Sequence, residues 1–195
     1  LLRFPLIFKS THSNTPAVIL ENSDVVVETI ILNHRIHCTG FKFTTKPTLP
    51  TLREDKVIAL DIPVAHRALI KKGFPYTDAS GVIHTADSLT LPPPSIKSFA
   101  YCSDTLCDGS YASQLEGVDL LYHESTFLHD MLDRAIETYH TTALQAATLA
   151  KKVGVKRLLI GHFSARYKEL TPLLEEAQSV FKETQLAIEG ETFSI

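Results

Sequence analysis

Arg157-Leu158-Leu159-Ile160-Gly161-His162-Phe163-Ser164-Ala165-Arg166-Tyr167 is the stretch whose reading decides the fold. It opens as a short apolar run of the kind buried inside an α/β layer, then switches at once to imidazole, hydroxyl and guanidinium groups. Two other runs behave the same way: Ser98 to Cys102 leads into Ser103-Asp104-Thr105, and Val118 to Tyr122 leads into His123-Glu124-Ser125-Thr126. A fourth polar cluster, Tyr139-His140-Thr141-Thr142, enters a helix predicted over Thr141 to Val153. There a threonine can cap, alanines fill the interior and Gly154 stops the helix. In layered α/β folds, side chains just beyond the strand ends converge on one edge of the sheet. One site built from all four segments is therefore the economical expectation.

Working outward, the periodicity predicts strands over Phe4 to Phe8, Ala17 to Leu20 and Val25 to Leu32, bounded by Asn, Ser, Asp and Pro. Thr44 to Asp55, rich in Thr, Pro, Lys and Arg, reads as a loop and a candidate surface contact ahead of the apolar Val57 to Leu60. A short helix with a basic end follows from Pro63 to Lys72. After turn signals at Asp78 to Gly81 and a run of prolines at 92–94, a strand-loop-helix rhythm sets in. Its last helix runs from about Thr171 to Phe181, with Pro172 near the start. No internal repeat or low-complexity tract interrupts the chain, which reads as a single α/β domain over 1–195.

Composition bounds the function. With 195 residues, 44% of them hydrophobic and 21% charged, the chain can bury a core and is not of the disordered class. A formal net charge of −3 argues against a general nucleic-acid coat, yet leaves room for an enzyme that grips a few phosphates locally. No stretch approaches the roughly 18 apolar residues of a membrane span, and no signal-peptide pattern opens the chain, so a soluble, cytoplasmic protein is expected. Cys38, Cys102 and Cys107 form neither a disulfide framework nor a zinc ribbon and read as free thiols. Nine histidines, several beside Asp, Glu, Ser or Thr, point toward metal or phosphate chemistry. Because the chain starts at Leu1 and its one methionine is Met131, further sequence upstream is expected.

Taken singly, each candidate has an ordinary reading: Asp104 as a turn residue, His162 as a packed imidazole, Glu124 as a solvated carboxylate, His140-Thr141 as a helix cap. Together, Tyr101-Cys102-Ser103-Asp104-Thr105, His123-Glu124-Ser125-Thr126, His140-Thr141-Thr142, Gly161 to Tyr167 and Leu32-Asn33-His34 through Phe41 resemble the ribonuclease Z family in order and spacing. The resemblance implies a metallo-β-lactamase-like αββα sandwich, here mainly its C-terminal part and lacking the N-terminal part. It further implies a zinc-dependent endoribonuclease, with two zinc ions in a complete site. Such an enzyme removes 3′ trailers from precursor tRNA through attack of a metal-activated hydroxide on a phosphodiester.

Carried over, the resemblance makes His34, Asp104 and His162 metal ligands, Asp104 bridging two ions, as suits imidazole and carboxylate donors. His37 competes with His34; strand alternation would put the two on opposite faces, and the spacing to Gly40 favours His34. His140 and Glu124 become a catalytic pair, the carboxylate keeping the imidazole protonated beside the scissile phosphate. Thr141 and Thr142 become a phosphate clamp at a helix start, and Ser164 and Arg166 hold RNA backbone, although an Arg166 packed on Tyr167 is an equal reading. A homodimer acting on precursor tRNA is likewise implied.

The chain also departs from the family. The family's His-x-His-x-Asp-His motif, source of most other zinc ligands, is absent from these residues, so the chain by itself is expected to hold half a metal site and to be inactive. The Pro-x-Lys-x-Arg-Asn loop has only a rough counterpart at Lys46-Pro47-Thr48-Leu49-Pro50. The arm region, Asp61 to Gly73, lacks the usual Gly-Pro but is kept basic by Arg67, Lys71 and Lys72. Residues 44–73 are thus a candidate substrate loop and short arm. Two rivals stand beside this reading: another phosphodiesterase of the same fold acting on a small diester, and a non-catalytic chain.

Overall fold

The computed structural model describes residues 3–11 and 14–195. It separates into two compact units, one running up to Thr45 and resuming over Lys97–Ile195, the other Lys46–Ile96.

In the first unit, alternating and β-branched residues give β1 (Val18–Glu21), β2 (Val25–Leu32) and β3 (Cys38–Thr45), an antiparallel meander. In the second unit come β4 (Thr51–Leu52), α1 (Glu54–Ala59), α2 (Val64–Lys71), β5 (Tyr76–Thr77), β6 (Ile83–His84), α3 (Ala86–Leu89) and β7 (Thr90–Leu91). The first unit then resumes with β8 (Ser98–Cys102), β9 (Leu120–Glu124), α4 (Leu132–Thr138), α5 (Ala143–Val153), β10 (Arg157–Gly161), α6 (Thr171–Val180) and β11 (Thr184–Leu186).

The first unit is organised by a seven-stranded sheet in the order β1-β2-β3-β8-β9-β10-β11. The β3–β8 pair is antiparallel, with Phe41 opposite Tyr101, and every pair from β8 to β11 is parallel. Parallel neighbours need a crossover, and α5 supplies the one between β9 and β10. Alternation sends Ala100, Cys102, Leu121, Leu158 and Ile160 to a core packed with Ala143, Ala146, Ala147, Ala150 and Val153 of α5 and with Leu173 and Ala177 of α6. The other side of the sheet carries aromatic pairs: Phe43 stacks with Phe99 at 6.0 Å between ring centroids, and Tyr101 with Tyr122 at 4.6 Å. Two glycines of this sheet sit against close neighbours, and at Gly40 the neighbour is backbone, which cannot move aside. A Cβ on Gly40 would lie 2.6 Å from the Tyr101 carbonyl oxygen, and one on Gly161 would lie 2.5 Å from the Tyr122 hydroxyl.

The second unit has its own small core of Ile62, Ile70, Tyr76, Ala86 and Leu89, backed by Leu52, Val57 and Leu60. The segment 44–73 is therefore not a loop and arm alone. Its residues from Lys46 onward fold together with those up to Ile96, and the apolar Val57 is drawn from α1 into that core. The asparagine-like role of a turn is taken by Asp78, whose Oδ1 accepts from the Ser80 and Val82 N–H groups and whose Oδ2 pairs with His84 at 2.8 Å.

Two expectations need correction. Phe4 to Phe8 forms no strand, and Phe8 is 88% exposed. A short apolar run becomes a strand only where a neighbouring strand takes up its backbone hydrogen bonds, and none does so among the described residues. His34 and His37 do not sit on a strand either. They occupy the bend between β2 and β3, and both line one cavity of about 380 Å³, so alternation does not separate them. Among the described residues, no helix is long and apolar enough to cross a membrane.

Candidate metal and catalytic site

The register of the parallel strands assembles the site. Cys102 lies opposite His123, and Gly161 opposite Glu124, so β8, β9 and β10 end at one level. Asp104 and His162 follow directly, each with its backbone in the left-handed region, φ 51° and 59°. Such φ values are uncommon for residues with a Cβ and cluster where a site dictates side-chain direction. Tyr139, also left-handed at φ 60°, closes α4 and delivers His140.

Ligand atoms of Asp104, Glu124, His140 and His162 lie within 4.8 Å of one another, a group of the kind that can hold a metal ion. Asp104 Oδ1 is 3.0 Å from His162 Nε2, and both side chains are about two-fifths exposed, 43% and 39%. Glu124 is wholly buried, and its two oxygens are fully engaged. Oε1 accepts from the Thr105 N–H at 2.6 Å and from His140 Nδ1 at 2.9 Å, while Oε2 accepts from the Thr126 hydroxyl at 2.5 Å and the Thr141 N–H at 3.1 Å. Burial by itself pushes the Glu124 carboxyl up, but the His140 and Thr126 hydrogen bonds, with the His140 charge, bring it below its ordinary value. The Glu124 hydrogen bond conversely raises His140 above its ordinary value against the opposing effect of burial. Each partner thus favours the charged form of the other. With its oxygens so occupied, Glu124 is a holder of His140 rather than a free ligand.

His34 is half-buried, its ring centroid 5.3 Å from that of His140. Its Nδ1 donates to the Tyr139 carbonyl at 3.0 Å, which leaves Nε2 as the free lone pair. His34 thus stands beside the group of four rather than within it.

The two threonines read as a phosphate clamp are placed differently. Thr141 and Thr142 are both fully buried. Thr141 gives its hydroxyl to the Thr105 carbonyl at 2.7 Å, and Thr142 forms a capping box with Gln145 at the start of α5. Their N–H groups are committed to Glu124 and Gln145, so nothing is left for a phosphate. They build the frame of the site. Ser164 and Arg166 are nearer solvent: Arg166 Nε donates to the Ser164 hydroxyl at 3.1 Å, and its guanidinium lies over the Phe127 ring at 5.0 Å rather than over Tyr167. The Phe127 ring in turn meets His140 edge to face at 6.2 Å.

Sequence reasoning gave no role to four supporting residues, Thr126, His123, Tyr111 and Glu176. Thr126 touches Glu124, His140 and His162 with one hydroxyl. His123, fully buried and pushed toward neutrality by that burial, gives Nδ1–H to the Glu124 carbonyl at 2.7 Å and receives the Tyr111 hydroxyl on Nε2 at 2.8 Å. Glu176 of α6 accepts the His129 and Leu144 N–H groups, pinning the start of α5. Position after an apolar strand could have suggested Thr126; no local signal marks Tyr111 or Glu176.

No family model matches the chain. Among curated proteins, it is 43% identical over 196 residues to a ribonuclease Z of Cytophaga hutchinsonii, a match covering 100% of this chain and 62% of that protein. It is 42% identical over 194 residues to a ribonuclease Z of Bacteroides fragilis, covering 100% and 64%. A ribonuclease Z of Porphyromonas gingivalis is 45% identical over 173 residues, covering 89% and 57%. The chain therefore spans less than two thirds of the length of these relatives. Among solved structures, the metallo-β-lactamase fold protein YhfI of Bacillus subtilis matches with TM-score 0.58 at 19% identity, over 93% of this chain and 53% of that one. The short form of human tRNase Z matches with TM-score 0.54 at 21% identity, over 92% and 47%. The fold is that of the metallo-β-lactamase proteins, and along its whole length the chain is a relative of the ribonuclease Z proteins.

Proposed function

We propose that the protein carrying this chain is a zinc-dependent endoribonuclease of the ribonuclease Z type that removes 3′ trailers from precursor tRNA. The observation that carries the reading is the gathering of Asp104, Glu124, His140 and His162 within 4.8 Å at one edge of the sheet. The identity to ribonuclease Z proteins along the whole chain supports it.

The donors fit a metal ion. A carboxylate oxygen and an imidazole nitrogen 3.0 Å apart, both reachable from solvent, are a set that suits Zn²⁺, and His34 Nε2 is a third candidate donor. Asp104 and His162, with His34 beside them, would hold the metal in this reading. A bound divalent cation supplies activated water and positive charge against the phosphate. The rest falls to the side chains. Glu124 orients His140 through Nδ1, so Nε2 is the atom that gives a proton to the leaving oxygen or stabilises charge on the phosphate in the transition state. Arg166, seated on Phe127, offers a cation to the RNA backbone, with Ser164 beside it. The unit over Lys46–Ile96, with Arg67, Lys71 and Lys72, is the candidate tRNA-holding arm. A cytoplasmic homodimer completes the reading.

Within these 195 residues there is no His-x-His-x-Asp-His motif, which favours one rival specifically: the chain taken by itself as inactive. The test pairs zinc content with cleavage of a precursor tRNA bearing a 3′ trailer, set against hydrolysis of bis(p-nitrophenyl) phosphate. The proposal expects zinc and one discrete cut near the 3′ end of the tRNA. Hydrolysis of the small diester with the tRNA left intact would instead identify a small-diester phosphodiesterase. Fewer than two tightly held zinc ions and no cleavage from the 195 residues alone would assign the missing donors to other parts of the protein.

A further inference from the structure

Thr126 sits where the catalytic pair meets the metal-facing edge. Its side chain is nearly buried, 6% exposed, and its hydroxyl oxygen is 2.5 Å from Glu124 Oε2, 2.9 Å from His162 Nδ1 and 3.0 Å from the His162 carbonyl oxygen. One hydroxyl proton must serve these contacts. Three other donors, the Thr105 N–H, His140 Nδ1 and the Thr141 N–H, already point at the Glu124 oxygens and favour the bare carboxylate, so the proton in the 2.5 Å contact belongs to Thr126. The Thr126 oxygen then faces both His162 Nδ1 and the His162 carbonyl with lone pairs only, and of the two only Nδ1 can bring a proton. At 2.9 Å, two lone pairs repel, and a hydrogen bond forms only when Nδ1 brings the proton.

We propose that Thr126 is a positioning residue: its hydroxyl relays Glu124 to His162, fixes the proton of His162 on Nδ1, and so reserves Nε2 as the lone pair directed toward Asp104 and a divalent metal. His34 is held in the same sense by a different acceptor, the Tyr139 carbonyl on its Nδ1. Two imidazoles from distant parts of the chain thus present the same ring nitrogen, one fixed by backbone and the other by a side chain. The relay also joins the two halves of the site. Glu124 holds His140 through Oε1 and, by way of Thr126 on Oε2, holds His162 as well. Outer partners of this kind orient a ligand and raise its basicity, and their loss typically weakens metal binding by about 10–100-fold.

The inference rests on the metal-site reading above, but its readouts need no RNA. In the zinc-loaded, ¹⁵N-labelled protein that carries this chain, the ring nitrogen shifts and two-bond couplings of His162 report which nitrogen bears the proton; without metal the Asp104 carboxylate, 3.0 Å from Nε2, competes for it. The expected result in the parent is a proton on Nδ1, with Nε2 facing the metal. Zinc titration is expected to show a roughly 10–100-fold weaker affinity in the near-isosteric Thr126→Val and parent-like affinity in Thr126→Ser. A zinc-loaded parent whose His162 bears its proton on Nε2 overturns the proposal, and this outcome needs no variant to fold. So does a Thr126→Val protein that keeps full zinc affinity. Failure of the zinc-loaded protein to cleave precursor tRNA with the His162 signature intact counts against the functional reading alone.

Discussion

Replacing Glu124 by glutamine keeps shape and volume but exchanges one accepting oxygen for an NH₂ donor in a wholly buried position. If the new nitrogen takes the place of Oε1, it faces the Thr105 N–H and His140 Nδ1, neither of which can become an acceptor while Nδ1 stays protonated. If it takes the place of Oε2, the Thr126 hydroxyl can reverse, accept from it and turn its own proton to the His162 carbonyl 3.0 Å away. That leaves one orphan, the Thr141 N–H. The second arrangement is the cheaper, at about 1–3 kcal/mol for one buried unsatisfied donor. Loss of the charge on the acceptor of His140 adds roughly 1 kcal/mol, the difference between charged and neutral hydrogen bonds. Glu124→Gln is therefore expected to destabilise by about 2–4 kcal/mol, a large share of a stability that is typically about 5–15 kcal/mol. Urea unfolding of the metal-free protein at neutral pH measures it through a lower midpoint at unchanged slope. A loss below about 0.5 kcal/mol would refute the account of Glu124 as the hub of the frame, because a surface carboxylate behaves that way.

The same pair makes stability depend on pH in both directions. The lowered Glu124 contributes stability that is present above its unfolded value and lost as pH falls through its folded one; the raised His140 contributes stability present below its unfolded value near 6.5 and lost as pH rises through its folded one. In proton NMR, His140 should titrate above 6.5 in the metal-free parent and move back toward 6.5 in Glu124→Gln, and a His140 midpoint unchanged by that substitution would break the pairing. Gly40→Ala would force a Cβ to 2.6 Å from the Tyr101 backbone, so a loss of about 1–3 kcal/mol or more is expected in thermal unfolding, and an alanine variant as stable as the parent contradicts the close approach of β3 and β8. Thr142→Ala removes the capping box of α5 and should cost about 0.5–2 kcal/mol while sparing any phosphate contact, so an affinity for precursor tRNA that drops with stability unchanged would restore the clamp reading.

Much of this was open to inspection one segment at a time. β2 over Val25–Leu32, β8 over Ser98–Cys102 and β10 over Arg157–Gly161 coincide with the runs read from periodicity. The capped α5 ending at Gly154 coincides with its signals as well. These elements share a property: their patterning, caps and turn residues lie within a few positions of one another, and local physical chemistry is enough to specify them. The order of Asp104, Glu124 and His162 after apolar runs, with His140 ahead of a helix, was visible for the same reason.

What the linear order could not supply was burial and pairing. Phe4 to Phe8 has the composition of a strand, but a strand exists only where a second one lies beside it. Thr141 and Thr142 look like free hydroxyls at a helix start, and only the packing of α5 beneath the sheet edge buries them against Thr105 and Gln145. Whether His34 and His37 part or share a cavity depends on a backbone bend, not on their spacing. Thr126 is an ordinary threonine until Glu124 and His162, brought level by the β9–β10 register, close around its hydroxyl. Residue types and local periodicity thus determined which chemistry the chain carries. The parallel register and the two left-handed residues at the strand ends decided which atoms meet, because distances between segments far apart in sequence are set only when the sheet closes.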